Sequence, residues 1–232
     1  MKKGELRKKE ILNTAEALFC KKGYEQTSIQ DIIDLLNSSK GSFYHHFVSK
    51  EALLEGICMN RAKQNYELSV SKMDDSWNSV ECLNYLLSNM LPLRDERISF
   101  LLMLLPLFRK AEGRTVRAYY SSALSSQFRE IVIRQIAYGC EKGEMSCQEY
   151  DYTADIILLM TNNLWVCICE IISASEEDGK ETDISELLRM TDAYRTAVTR
   201  ILSLPYGMIE IADLNMLKDL CIKIHQHWSV EK

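Results

Sequence analysis

Residues 11–57, ILNTAEALFCKKGYEQTSIQDIIDLLNSSKGSFYHHFVSKEALLEGI, contain the pattern that decides the fold of the N-terminal part of this chain. Apolar residues recur there at helical spacing in closely spaced segments, with capping and turn residues between them. The third segment is very short and rich in polar and aromatic side chains, a composition that suits a core element poorly. We interpret it as the part of a helix-turn-helix that is laid into DNA. Its polar group is Lys40, Gly41, Ser42, Tyr44, His45 and His46.

The sequence predicts where the first two helices end and begin. A helix over 6–22 ends at two lysines and Gly23, a residue that tolerates a positive φ. The second helix begins at Thr27 or Ser28, since either hydroxyl can cap it, and Thr27 with Gln30 matches the spacing of a capping box. Its predicted buried face is Ile29, Ile32, Ile33 and Leu36.

The third helix is predicted to be capped by Ser39 and anchored by two phenylalanines four residues apart, Phe43 and Phe47. Asn37 precedes it in the turn, where asparagine can adopt the left-handed conformation. A fourth helix over about 49–71 then connects this head to the rest of the chain.

Composition and charge favour an all-α protein with a basic head. The chain has 232 residues, 47% hydrophobic, with only three prolines. Its net charge is −5, but residues 1–64 carry +3 and the remainder carries −8. That distribution is suited to phosphate contact by the head alone.

Targeting, membrane and metal signals are weak. The basic N-terminus is not followed by an apolar segment typical of a signal peptide. The apolar run at 98–108 is about half the ~20 residues of a membrane span, so we expect a cytoplasmic protein with no membrane partner. Eight scattered cysteines without a CxxC pair indicate packing rather than a metal site, and no cofactor or metal is predicted.

The C-terminal body, 72–232, is predicted to be helical, and one of its helices is unusual. The helix at 152–175 is apolar around almost its whole circumference, so it must be buried on more than one side. Core packing would use one side and a partner could use another. The predicted helices of the body are 76–90, 95–109, 115–142, 152–175, 183–204 and 212–227.

The head closely resembles the DNA-binding domain of TetR-type transcriptional regulators. The resemblance rests on GYEQTS at 23–28, SKGSFYHHF at 39–47 and SKEAL at 49–53, and it covers about a fifth of the chain. One departure lies in the turn, where the family usually has Ala-Gly-Val and this chain has LNS at 36–38. The resemblance implies a helix-turn-helix domain over 1–48 followed by a helical effector-binding and dimerisation domain.

The resemblance also implies roles for single residues in binding a double-stranded operator. Lys40, Gly41 and Ser42 would face the major groove, with Lys40 towards guanine or phosphate and Gly41 allowing close approach. Backbone phosphates would be contacted by Thr27 and Ser28 at the start of the second helix, and by Tyr44, His45 and Lys50. A packing role is the alternative for Tyr44 and for one of the histidines, and we favour it for His46.

A homodimer and an effector pocket are the further implications. Helices 152–175 and 183–204 would pair across a twofold axis, and an unidentified small molecule would bind in the body. Large adaptable side chains suit such a pocket, although ordinary core packing is the better explanation for any single one of them. The candidates are Phe100, Met103, Tyr119, Phe128, Asn163 and Trp165.

We therefore predict a DNA-binding transcriptional regulator, a repressor released from a pseudo-palindromic operator by a small-molecule effector. A thiol-based redox sensor using Cys167 or Cys169 is one alternative. A helical enzyme is another, against which no catalytic constellation stands out in the body. Asn162, Asn163 and Glu170 are polar in an apolar helix and could bind an effector or each other across the dimer.

Overall fold

A computed structural model of the chain describes residues 3–91, 95–105, 111–178 and 180–230, and these residues form helices, turns and loops without a strand. The all-α fold expected from the sequence is confirmed. The helices are α1 (Lys3–Lys22), α2 (Ile29–Leu35), α3 (Lys40–Tyr44), α4 (Lys50–Ser71), α5 (Ser79–Met90), α6 (Asp95–Leu104), α7 (Ala111–Glu141), α8 (Tyr150–Glu177), α9 (Ile184–Ile201) and α10 (Leu214–Val230).

The predicted helices occur in the predicted order, and their ends shift where capping residues act. The helix expected from residue 76 begins three residues later because Asn78 caps it. The Asn78 side chain accepts bonds from the backbone N–H of Val80 and Glu81, each at 3.0 Å, and Glu81 accepts the N–H of Asn78 at 2.8 Å. The predicted helix end at residue 109 lies outside the described residues.

One compact unit consists of the described residues of 1–63 and 99–123. Its core includes Ile11 and Phe19 from α1, which are fully buried. The Cys20 thiol donates to the carbonyl of Ser99 at 3.6 Å, so the C-terminal part of α6 packs with the helices of the head. The described residues of 99–123 thus belong to this unit, whereas the sequence analysis assigned 72–232 to the body.

An ion pair lies inside this unit. Glu16 on α1 is buried and pairs with Arg61 on α4, whose guanidinium lies 5.8 Å from the centroid of the Phe100 ring. Burial raises the pKa of Glu16, and the positive charge of Arg61 opposes that rise. The pair joins α1 to α4 in the part of the unit that α6 also contacts.

The second unit consists of the described residues of 64–98 and 124–232. Helix α8 packs against α5, α9 and α10, and Trp165 and Ile168 on its inner side are fully buried. On its outer side Leu159 is 70% exposed and Ile156 is also exposed. The apolar circumference read from the sequence therefore divides into a buried side and an open apolar side.

Helix α8 is also long and apolar enough to cross a membrane by those two criteria, over 150–175, and 56% of the tested window is buried within the protein. The sequence analysis missed this segment because it considered uninterrupted apolar runs alone. A core helix of a soluble protein meets the same criteria, so the segment is weak evidence for a membrane span.

Candidate nucleic-acid interface

The turn between α2 and α3 is fixed by its backbone. Asn37 adopts a φ of +46°, the left-handed conformation predicted for it. The N–H of Ser38 donates to the carbonyl of Ile33 at 3.0 Å, which closes the C-terminal end of α2. Ser39 then caps α3 as predicted, since its hydroxyl accepts the N–H of Ser42 at 3.2 Å.

Buried aromatic side chains pack α3 and the residues after it against the rest of the head. Phe43 and Phe47 are both buried, with ring centroids 6.2 Å apart, and the ring of Tyr44 packs edge-on against Phe43 at 5.5 Å. Gly56 on α4 makes room for Phe47. A Cβ at residue 56 would lie 2.8 Å from Cε1 of Phe47 and 3.0 Å from Cδ2 of Leu12. The predicted anchors are therefore the residues that position α3.

The side of α3 opposite Phe43 is exposed to solvent. Lys40, Gly41, Tyr44 and His45 are exposed and Ser42 is half-buried. A Cβ added at Gly41 would meet no atom within 4 Å, so the protein interior does not require glycine at this position. The structure thus brings together four of the eight predicted DNA-binding residues on one short helix, and a fifth, His45, is its C-cap.

His46 lies at the edge of this surface rather than on it. It is half-buried, and its ring centroid lies 5.1 Å from that of His45. Desolvation lowers the pKa of His46, and the positive charges of His45, Lys8 and Arg7 lower it further. A neutral, half-buried imidazole is consistent with the packing role predicted for it.

At the start of α2 the structure corrects the sequence analysis. Thr27 is only 1% exposed, and its hydroxyl donates to the carbonyl of Gly23 at 2.8 Å. The hydroxyl expected to contact phosphate is therefore already used inside the fold. The capping box predicted for Thr27 and Gln30 is also wrong: Ser28 is the cap, accepting the N–H of Asp31 at 3.1 Å, while Asp31 accepts the N–H of Ser28 at 2.7 Å.

Lys50 is held in place at the start of α4. Its Nζ lies 4.1 Å from the centroid of the Tyr24 ring and 3.4 Å from the carbonyl oxygen of Glu25. Desolvation lowers the pKa of Lys50, and the charges of Glu25 and Glu51 oppose that change. A cation fixed in this way has little side-chain entropy left to lose when it contacts a phosphate.

Arg7 is a candidate that the sequence analysis missed. A cleft of about 750 Å³ lies beside α3, and Arg7 is one of its lining residues. The guanidinium of Arg7 donates to the carbonyl of Leu36 at 3.5 Å and pairs with Glu10. The basic run at the N-terminus was the available signal. The cleft is lined by Leu6, Arg7, Glu10, Asn37, Ser38, Ser39 and Ser42.

Three of the predicted effector-binding residues lie in the first unit. Phe100 and Met103 are buried, whereas Tyr119 is exposed. The ring of Phe100 packs edge-on against Tyr120 at 5.2 Å, so the neighbouring tyrosine rather than Tyr119 is its aromatic partner. Phe100 and Met103 have the burial of core residues, and Tyr119 lies on the surface.

The other three lie in the second unit, in different surroundings. Trp165 is fully buried, and buried Phe128 packs against Tyr66 with centroids 5.6 Å apart. Asn163 is exposed on the other side of α8 from Trp165, because residues two apart on a helix point in nearly opposite directions. Asn163 instead lines a groove of about 550 Å³ with Leu159, Met160, Leu164, Met190, Ala193 and Tyr194.

Two polar residues of α8 find partners within this unit. The amide nitrogen of Asn162 donates to the hydroxyl of Ser125 on α7 at 2.7 Å, and that of Asn163 donates to the sulfur of Cys167 at 3.5 Å. Neither contact requires an effector or a second subunit. Cys169 is fully buried, which disfavours it as a redox sensor.

Comparisons with known proteins agree with this geometry. Residues 11–57 match the family described as bacterial regulatory proteins, tetR family. The chain is 23% identical over 182 residues to the HTH-type transcriptional regulator UidR of Escherichia coli (strain K12), covering 77% of this chain and 87% of UidR. It is 36% identical over 73 residues to IcaR of Staphylococcus aureus (strain Newman), a negative transcriptional regulator of the biofilm operon icaADBC, covering 26% of this chain and 39% of IcaR.

The fold is also similar to solved structures. The crystal structure of a TetR-family transcriptional regulator from Pectobacterium atrosepticum superposes with a TM-score of 0.61 at 18% identity, covering 88% of this chain and all of that one (100%). At this identity the likeness concerns the fold. The matched segment, 11–57, contains α3, so the family match and the exposed side of α3 indicate the same surface.

Proposed function

Since the chain belongs to the TetR family of bacterial regulatory proteins and is a DNA-binding transcriptional regulator, we propose that it is a cytoplasmic, homodimeric repressor. A small-molecule effector releases it from a pseudo-palindromic operator. The single observation that carries the DNA-binding assignment is the two-sided character of α3. One side is buried through Phe43, and the other exposes Lys40, Gly41 and Tyr44 to solvent.

The exposed face of α3 supports a division of roles. Lys40, Gly41 and Ser42 face the bases, with lysine suited to guanine and glycine allowing the backbone to come close. Tyr44 and His45 contact the phosphate backbone and fix the register of the helix.

Two further residues are proposed to contact the backbone from outside α3. Lys50 offers a cation already positioned by the Tyr24 ring. Ser28 is exposed at the start of α2, where its backbone N–H and its hydroxyl donate to the carboxylate of Asp31, so a phosphate would compete with that carboxylate for these donors. Thr27 is omitted from this set because its hydroxyl is buried and donates to Gly23.

The outer side of α8 supports the dimer. Tyr152, Ile156 and Leu159 are exposed along one side of this helix, and the groove between α8 and α9 continues it. Apolar side chains at this spacing form a stripe that a second copy would cover, and a twofold axis would place α8 and α9 of both copies together. A dimer also supplies the second recognition helix that a short, five-residue α3 needs to specify a site.

The proposal of repression is supported by the similarity to IcaR, and that of effector binding by the aromatic residues of the body. IcaR, similar over part of its length, is a negative regulator. The effector would shift the chain between two arrangements that differ in DNA affinity. Buried aromatic residues such as Phe128 and Trp165 suit an apolar or flat molecule.

The salt dependence of DNA binding tests the phosphate contact of Lys50. The assay is fluorescence anisotropy with a 30-bp duplex of arbitrary sequence between 50 and 200 mM salt, where each lost phosphate contact lowers the slope of log affinity against log salt by roughly 0.9. We expect Lys50→Met to reduce the slope by about that amount.

Lys142 offers a matched control. Its Nζ also lies over a tyrosine ring, 5.3 Å from the centroid of Tyr138, but Tyr138 is in α7 and Lys142 directly follows that helix, outside the proposed interface. Lys142→Met should leave the slope unchanged. An unchanged slope in Lys50→Met would remove Lys50 from the interface, and a parent chain without measurable affinity for duplex DNA would contradict the whole proposal.

A further inference from the structure

Two cysteines outside the DNA-binding surface lie close together. The sulfur atoms of Cys140, in the last turn of α7, and Cys147, in the loop before α8, are 3.8 Å apart. Both side chains are half-buried, so small solutes can reach them. A disulfide bond is about 2.05 Å long, so the two sulfurs are in non-bonded contact and must approach each other further to form one.

The loop that carries Cys147 is held firmly. Gly143 adopts a φ of +71°, and the N–H of Glu144 donates back to the carbonyl of Gly139 at 2.9 Å, which ends α7. The N–H of Ser146 donates to the carbonyl of Leu202 at 2.9 Å. The spacing of the two thiols is therefore built into the fold, and each thiol meets the other at a high effective concentration.

Burial and the hydrogen bond with Cys140 raise the pKa of Cys147, so the closeness of the two thiols, and not their acidity, distinguishes this pair. Three other cysteines in the described residues have surroundings that disfavour reaction. Burial raises the pKa of Cys58 to about 12 and that of Cys20 to about 11, so both remain protonated. Cys169 is fully buried. The sequence analysis considered only Cys167 and Cys169 for redox chemistry, because Cys140 and Cys147 are seven residues apart and form no CxxC pair.

We propose that Cys140 and Cys147 form a reversible thiol–disulfide site that hydroperoxides oxidise. One thiolate attacks the peroxide oxygen, so an S–O bond forms, the O–O bond breaks, and water or an alcohol leaves after protonation. The second sulfur then attacks the sulfenic sulfur. The S–S bond forms and hydroxide leaves with the remaining thiol proton as water, so two thiols are oxidised and one hydroperoxide is reduced.

Covalent oxidation fits this pair better than metal coordination. Among the residues that the structure describes, no group of three or more His, Cys, Asp or Glu side chains is placed to hold a metal ion. Two thiols alone leave a structural zinc site half complete. The proposal is independent of the repressor function, because it concerns only the chemistry of these two side chains.

Peptide mapping of the full chain tests the site directly. The protein is treated with hydrogen peroxide, the remaining thiols are blocked with N-ethylmaleimide, and trypsin is added without reductant. Cys140 lies in the tryptic peptide 135–142 and Cys147 in 143–180. We expect these two peptides to be joined and to separate with dithiothreitol. The joined mass should be two hydrogens below the sum of the two peptides, with N-ethylmaleimide added at Cys167 and Cys169.

The controls separate this pair from its neighbours. Peptide 143–180 also contains Cys167 and Cys169, so a Cys167→Ser, Cys169→Ser variant must keep the cross-link and Cys147→Ser must lose it. The rate of oxidation should not change on tenfold dilution of the protein, because the bond forms within one chain. A cross-link that survives in Cys147→Ser, one that forms only between chains, or full alkylation of both thiols in the treated parent would each overturn the proposal.

Discussion

Replacing Gly41 by alanine should separate stability from DNA binding. Gly41 lies in the first turn of α3, and a Cβ built there meets no atom within 4 Å. Alanine is favoured over glycine within a helix by roughly 0.5–1 kcal/mol. For a chain of this size 1 kcal/mol corresponds to about 2–4 °C in Tm. We therefore expect the Tm of Gly41→Ala to equal or exceed that of the parent by up to about 4 °C.

The same methyl group should weaken DNA binding. It projects from the face of α3 that we assign to the bases, and it would hold the helix away from the groove. Losing about one good base contact costs roughly 1–3 kcal/mol, or about 5- to 150-fold in affinity. The affinity is measured by anisotropy with the operator obtained by selection, and the Tm by circular dichroism of the same samples.

Gly4 provides the matched control for the helical gain. It lies in α1, and a Cβ there also meets nothing within 4 Å, so Gly4→Ala should show a similar small gain in Tm and keep the parental DNA affinity. Parental affinity in Gly41→Ala would refute the close approach of α3 to the bases. A fall in its Tm would refute the open environment described for this residue.

Further predictions concern packing, capping, protonation and assembly. Gly56→Ala should lower the Tm, because the new Cβ would lie 2.8 Å from Cε1 of Phe47 and overpacking of this kind costs roughly 1–3 kcal/mol. Thermal melts check this, and an unchanged Tm would contradict the close contact. Ser28→Ala removes the cap of α2 and should cost about 1 kcal/mol, seen as a Tm loss of a few degrees whether or not DNA is present. Hydrogen bonds from Ser28 lower the pKa of Asp31 below 3.8, so its contribution to stability is present above that value and lost as pH falls through the lowered pKa. The Tm difference between the parent and Asp31→Ala should therefore shrink below about pH 4. Leu159→Arg, at a residue 70% exposed on α8, should convert the dimer to a monomer in sedimentation velocity. Ile222→Arg, at a residue 54% exposed on α10, should leave the sedimentation coefficient unchanged. A monomeric parent would contradict the proposed interface.

The sequence predicted the head well because its signals are local. The Ser39 cap, the left-handed Asn37 and the Phe43–Phe47 pair all depend on residues within a few positions of one another, and all three occur in the structure. The start of α2 was harder. Thr27 and Ser28 could each cap the helix. The sequence did not show that the Thr27 hydroxyl donates to the carbonyl of Gly23, which leaves Ser28 as the cap.

Features that depend on long-range packing could not be predicted. Periodicity showed that α8 is apolar all round, but it could not place Asn163 outside and Trp165 inside. The seven-residue separation of Cys140 and Cys147 likewise gave no sign that a left-handed Gly143 brings their sulfurs within 3.8 Å. Such contacts depend on how the turn between two helices closes.

The most direct test of the central claim is selection of bound sequences from a random library of DNA duplexes by the purified chain. A dimeric regulator that reads bases through Lys40, Gly41 and Ser42 should enrich one pseudo-palindromic motif, with half-sites about one helical turn or a multiple apart. The Gly41→Ala variant should enrich it poorly. A library that remains random after several rounds with the parent chain would contradict the account.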